Sequence, residues 1–192
     1  PLYRLPGSTP PATLARLLEA LGQPAARYSA IRWYGDLASV RVPAYSWSGE
    51  VAARALRLLE CYARAKVGFA GAGVRVLDEL VFNERVNAAQ NKAAVLGDTF
   101  VDLARQLRAS FQGPIDLTCD KQGGRSMYAD LLGRAFPGCP LEIDHEEPEL
   151  SRYRLVTPQG QLRVTFRPEA KQTSLPVALA SMMCKYLREV FM

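Results

Sequence analysis

The sequence has a single histidine, His145, and its four cysteines, Cys61, Cys119, Cys139 and Cys184, fall in separate segments with no CxxC spacing. A Ser-His-Asp triad would have to use that one imidazole, and a Cys/His zinc cluster has no ligands at suitable spacing. Hydrolytic chemistry in this chain would therefore have to rest on carboxylates. The cysteines read as reduced, buried thiols, with Cys119 and Cys184 inside apolar patterns. No apolar run approaches the roughly 18 residues of a membrane span, and the start lacks a basic segment followed by an apolar one. The expectation is a cytoplasmic protein with no membrane partner. Repeats, low-complexity tracts and dense Lys/Arg tracts are missing too. The net charge of +5 favours the approach of a polyanion, but it equally suits an ordinary soluble surface.

With 192 residues, 48% of them hydrophobic, the chain can bury a substantial core. Residues 1–50 hold six of the thirteen prolines, with Trp33, Tyr34, Tyr45 and Trp47 among them and one helical stretch over Thr13 to Leu21. This reads as an irregular appendage whose aromatics pack inward and do not offer a stacking platform to bases. Residues 51–192 read as an α/β portion. A helical pattern runs from Glu50 to Ala70 on Val51, Ala55, Leu58, Leu59 and Tyr62, and Val74 to Phe82 is an extended candidate.

Further along, Ala89, Ala93, Leu96, Phe100, Leu103 and Leu107 recur at steps of four and three, which predicts one apolar helical stripe with Asp98, Asp102 and Arg105 off it. Gly113-Pro114 stops that helix, and Ile115 to Cys119 reads as a buried strand ending at Asp120. An amphipathic helix over Ser126 to Phe136 and a short strand near Pro140 to Ile143 complete a strand-helix-strand unit. Tyr153 to Val156 and Leu162 to Phe166 flank Pro158-Gln159-Gly160 and predict a hairpin. A last helix is expected over Leu175 to Phe191, with Ser174 as its cap. Beginning at Pro1 and ending in or just after that helical pattern, the chain reads as a piece of something longer.

Ligands of open α/β sheets collect at the carboxyl ends of strands, which makes Asp120 a candidate functional carboxylate. The following Lys121-Gln122-Gly123-Gly124-Arg125 offers backbone amides and two cations to a phosphate, or is simply a strand-to-helix turn with solvated charges. The acidic run Glu142, Asp144, His145, Glu146, Glu147 and Glu149 reads as a solvated loop, not a metal site. Asp98 and Asp102, one helical turn apart, read as facing water.

Glu169-Ala-Lys-Gln-Thr-Ser-Leu-Pro-Val-Ala-Leu-Ala-Ser-Met-Met-Cys-Lys-Tyr-Leu-Arg188, taken with the strand ending in Asp120, resembles the ribonuclease HII family. In that family a strand ends in an aspartate, and a later acidic residue precedes a proline, a small-residue run ending in serine, and a helix with lysine and arginine. Asp120, Glu169, Pro176, Ala180-Ser181, Lys185 and Arg188 match in that order. Phe82 to Leu96, with Asn83, Asn87, Asn91 and Lys92, resembles the family's Asn-bearing helix, so the likeness covers about residues 74–192 and is nearest a divergent bacterial branch.

The resemblance implies an α/β ribonuclease H-like mixed sheet flanked by helices. It also implies a divalent-metal-dependent endonuclease that hydrolyses the RNA strand of RNA/DNA hybrids with Mg²⁺ or Mn²⁺. Asp120 and Glu169 would be catalytic metal ligands, with Lys121, Arg125 and Lys185 facing nucleic-acid phosphates. The family's Asp-Glu-Ala-Gly strand and its glycine-arginine-glycine loop have no counterpart here, and Glu169 stands where many relatives have aspartate. Either an N-terminal segment or a second chain completes the site, or the chain is a non-catalytic nucleic-acid-binding or structural module of the same fold.

Overall fold

The computed structural model describes residues 11–29, 31, 34–43 and 48–192. Two compact units emerge, Pro1–Val76 with Val190–Met192 and Leu77–Glu189. In the first, helix α1 (Leu14–Ala20) starts where the Thr13 side chain accepts the Arg16 N–H, and it buries Leu14 and Leu18. After α2 (Ala26–Ser29), the ring of Tyr28 meets Phe191 edge-on at 5.5 Å while its hydroxyl donates to Gln23 Oε1 at 3.1 Å. Tyr34 is half-buried and also packs edge-on against Phe191, at 5.0 Å. The expectation for Trp33, Tyr45 and Trp47 lies outside the described residues.

Helix α3 (Ser48–Arg64) covers the start of the pattern read over Glu50 to Ala70 but ends six residues short of it, and Leu56, Leu58 and Leu59 are exposed. The cysteines are free, but only two fit the expectation of burial, since Cys61 and Cys184 are exposed and Cys119 and Cys139 half-buried.

The second unit opens with α4 (Glu79–Ala89). The extended segment predicted over Val74 to Phe82 ends at Asp78, whose carboxylate accepts the Val81 N–H at 2.9 Å and so starts a helix. The single stripe predicted from Ala89 onward is likewise broken, because Gln90 turns left-handed and the Asn91 side chain caps α5 (Lys92–Ser110). The buried face of α5 is Val95, Gly97, Val101, Ala104 and Arg108, while the predicted Leu96 is exposed. Small residues face inward because the next helix comes close: a Cβ on Gly97 would lie 2.9 Å from Leu131 Cδ2.

The rest of the unit is strand β1 (Ile115–Asp120), α6 (Ala129–Ala135), β2 (Leu141–Glu146), β3 (Ser151–Thr157), β4 (Gly160–Arg167), a 3-10 turn (Ala170–Gln172) and α7 (Leu175–Phe191) as far as Glu189. This is an α/β architecture whose four strands form one mixed sheet, in the order β1-β4-β3-β2, flanked by helices. β1 runs parallel to β4, and the other two pairings are antiparallel. The predicted hairpin is present, closing at Thr157 opposite Gly160. Gly160 is required there, since its φ is +128° and an added Cβ would meet Gly113 O at 2.8 Å.

β1 departs from the buried strand expected. It is a sheet edge, with Ile115, Leu117 and Cys119 packed on the core and Asp116 and Asp120 exposed. β2 runs on to Glu146, so four of the six residues of the acidic run expected as loop, Glu142, Asp144, His145 and Glu146, are strand. Under the sheet, Tyr128, Leu132, Tyr153, Leu155, Leu162, Val164 and Phe166 are almost wholly buried, each contributing roughly 1.5–3 kcal/mol of transfer energy if apolar. In α7 the buried residues are Val177 and Leu187, whereas Leu175 and Met182 of the predicted stripe are exposed.

Candidate functional site

Because β1 and β4 are parallel neighbours, their carboxyl ends meet at one edge of the sheet, with Asp120 opposite Arg167 in register. Asp120 closes β1, and Glu169 stands two residues beyond Arg167. The link between the two segments is direct: the Ala170 N–H donates to Asp120 Oδ1 at 2.6 Å across a separation of 50 residues. One carboxylate oxygen of Asp120 thus anchors the turn after β4, and Oδ2 is left without a protein donor among the described residues.

Glu169 has left-handed backbone angles, φ 50° and ψ 35°, which a non-glycine residue adopts at a cost on the order of 1 kcal/mol or more. The turn holds it there. Gln172 N–H donates to Glu169 O at 2.9 Å, Thr173 and Ser174 N–H both donate to Ala170 O, and the Ala170 side chain is fully buried as a plug. The Glu169 carboxylate accepts from the Gln172 amide but has no cationic partner among the described residues.

The loop after β1 makes the other wall. Lys121 donates its backbone N–H to Arg167 O, and its ammonium is engaged by Glu147 O and by Ser151 Oγ at 2.9 Å. Ser151 in turn donates to Ser126 O. Beneath, Gln122 N–H donates to Tyr128 Oη at 3.0 Å, Tyr128 N–H to Tyr153 Oη at 2.8 Å, and Tyr153 Oη to Glu146 Oε1 at 2.6 Å. The Tyr128 ring lies flat on Phe166, with centroids 3.7 Å apart. Burial pushes both phenols up from their ordinary values, so they stay neutral donors and acceptors at neutral pH. A satisfied polar network of this kind fixes the loop's shape.

Asp120, Lys121, Arg125 and Glu169 line one cavity of about 400 Å³, together with Gly123, Gly124 and Lys171. Arg125 lies 5.8 Å from the Tyr128 ring centroid and has no ion pair among the described residues. Lys185 is not brought to this cavity; it projects from α7 and faces Glu189 at 3.8 Å, one helical turn away. Lys171 was not foreseen from the sequence, although its place two residues after Glu169, past a proline, was a signal of it. Tyr128, Ser151 and Tyr153 could not be singled out, since nothing in their local patterns separates them from core residues.

The side chains at this end of the sheet exclude one chemistry and suit another. The Cys119 thiol, next to Asp120, is pushed up to about 12 by burial and then by the Asp120 charge, so it stays protonated and is no nucleophile. The carboxylates of Asp120 and Glu169 are hard oxygen donors that suit a divalent cation. Among the described residues no group of three or more His, Cys, Asp or Glu is placed to hold a metal ion. The acidic residues of β2 are used otherwise, because Arg154 bridges Asp144 at 2.9 Å and Glu142 at 3.0 Å. Asp98 pairs with Arg134 at 2.7 Å. No helix of the described residues is long and apolar enough to cross a membrane. Compared with protein-family models, with curated proteins and with solved structures, the chain matches none.

Proposed function

We propose that this chain carries part of the site of a divalent-metal-dependent hydrolase, an endonuclease of the ribonuclease H class acting on the RNA strand of RNA/DNA hybrids. The observation that carries the reading is the meeting of Asp120 and Glu169 with Lys121 and Arg125 in one cavity, at the edge where two parallel strands end. Asp120 Oδ2 and the Glu169 carboxylate would hold one hydrated Mg²⁺ or Mn²⁺, since Mg²⁺ keeps several waters and is commonly held by one or two carboxylates. Such an ion would supply Lewis-acid stabilisation of charge on the phosphodiester oxygens. Arg125 holds a phosphate, Lys121 keeps the loop in shape through Glu147 and Ser151, and Lys185 is an outlying contact to the nucleic acid.

A pair of ions needs more carboxylates than these two. A further segment or a second chain pairing along the free edge of β1, next to Asp120, would bring them. The four free cysteines suit a cytoplasmic setting. The lack of a third ligand among the described residues favours a second reading, a non-catalytic nucleic-acid-binding module of the same fold.

The test is cleavage of an RNA/DNA hybrid with Mg²⁺ or Mn²⁺. We expect weak hydrolysis by the wild-type chain and none by Asp120→Asn, with hybrid binding kept or strengthened because a negative charge near the phosphates is gone. Equal turnover by Asp120→Asn and wild type would refute the metal site. Binding without any hydrolysis would select the second reading.

A further inference from the structure

Five charged side chains line the cavity, and they divide by what already engages them. Asp120 and Glu169 form its acidic side, and Lys121 is tied to Glu147 O and Ser151 Oγ. Arg125 and Lys171 are left, the first half-buried and the second exposed, and neither has an ion-pair or hydrogen-bond partner for its cationic group among the described residues. They come from separate segments, Arg125 from the loop after β1 and Lys171 from the 3-10 turn after β4. Between Lys121 and Arg125 the chain offers more donors. Gly123 and Gly124 line the same cavity, and their N–H groups have no acceptor among the described residues. Gly123 adopts φ 58°, which turns the loop so that consecutive amides are left outside any strand or helix.

We propose that Arg125, Lys171 and the free amides of Gly123 and Gly124 form a phosphate subsite beside the carboxylate pair, with Lys171 as its second cation. The donor set suits a tetrahedral anion: a planar guanidinium, a mobile ammonium and two fixed amides can each meet a different oxygen. The cavity volume, about 400 Å³, leaves space for a sugar-phosphate unit. The phosphate belongs to a nucleic-acid strand, and that assignment of source rests on the function proposed above, whereas the subsite itself does not.

The deciding measurement is binding in the absence of divalent ions, by fluorescence anisotropy with a labelled RNA/DNA hybrid across a salt series, alongside inorganic phosphate followed by ³¹P NMR. For the hybrid, Lys171→Ala should weaken affinity by about three- to tenfold and reduce the slope of log K against log salt by about one, and Lys171→Arg should restore the slope. Lys171 is exposed, so these variants are expected to fold. Wild-type affinity and slope in Lys171→Ala, with the hybrid still bound, would overturn the subsite while leaving the metal site of Asp120 and Glu169 standing. Inorganic phosphate bound in a Lys171-dependent way, with no hybrid binding at all, would keep the subsite and overturn the nucleic-acid source. Binding of neither probe would remove both.

Discussion

Two acidic regions of the same sheet can be set side by side. At the β2 and β3 side, Glu142 and Asp144 converge on Arg154, whose guanidinium spans both. At the β1 and β4 end, Asp120 is held by a backbone amide and Glu169 by a side-chain amide, and no cation is paired with either among the described residues. Counting carboxylates would rank the first region higher. What separates them is whether the charge is already neutralised by the protein's own cations. A carboxylate fixed by a neutral donor keeps its charge for a ligand, whereas one fixed by arginine has spent it. The two regions are also rooted differently. Phe166 and Tyr128 stack beneath the β1 and β4 end, while Arg154 and Glu142 are exposed and Asp144 half-buried.

The largest effect expected from this contrast is on stability. Phe166→Ala removes a fully buried ring that touches Phe100, Tyr128 and Tyr153, and it should cost about 3–5 kcal/mol in urea denaturation. Arg154→Ala should change the midpoint only slightly, as surface ion pairs contribute little. Comparable losses from both variants would mean that the two regions are not rooted as differently as described.

Next comes Mn²⁺ affinity, read by electron paramagnetic resonance. Changing groups that merely support a metal ligand typically costs 10–100-fold, so Asp120→Asn and Glu169→Gln, as the proposed direct ligands, should each weaken binding by about tenfold or more. Asp144→Asn should leave it unchanged. If Asp144→Asn weakened Mn²⁺ binding and Asp120→Asn did not, the roles assigned to the two regions would be reversed.

How much of this could be read from sequence depended on the range of the physics involved. The β3-β4 hairpin was legible because Pro158-Gln159-Gly160 states its own turn chemistry. The α4-α5 break was not, since Gln90 and Asn91 interrupt a stripe whose spacing continues through them, and a single left-handed residue overrides the period. Which face of α5 is buried was legible only in part: Phe100 packs on the core as its stripe predicts, whereas Leu96 is exposed and the close approach of α6 turns Gly97 inward. The place of Asp120 at a strand end was legible. Its hydrogen bond to Ala170 was not, as it depends on β1 and β4 being parallel neighbours, a long-range fact that no local pattern encodes. The same pairing brings Lys171 to the cavity in place of Lys185.

A smaller effect should come from the hydrogen-bond chain under the loop. Tyr153→Phe leaves the Tyr128 N–H without its acceptor in a buried place and takes a donor from Glu146. An unsatisfied buried donor costs about 1–3 kcal/mol, so thermal denaturation should show a clear but modest drop. The loop would lose part of its support as well, and hybrid affinity should fall with it. Unchanged stability and affinity would mean that the chain of tyrosines does not hold the loop.

The smallest effect is electrostatic and belongs to the Arg154 cluster. The hydrogen bond from Arg154, ahead of its charge, holds the Asp144 carboxyl below its ordinary value. A group whose folded value is depressed contributes stability that is fully present above the unfolded value and is lost as pH falls through the folded one. The contribution therefore disappears only at the acid end, below the usual carboxylate range, and neutral-pH stability should be insensitive to small pH changes at this site. Carbon-13 NMR of the Asp144 carboxyl should follow it directly, titrating at a lower pH than an ordinary aspartate. Replacing the partner sharpens the point: in Arg154→Gln the Asp144 titration should move back up, and the acid limb of the stability curve should become shallower, because the contribution of this carboxyl is then gone at every pH. If the Asp144 titration stayed where it is in Arg154→Gln, the guanidinium would not be what holds that charge, and the division between spent and available carboxylates would fail.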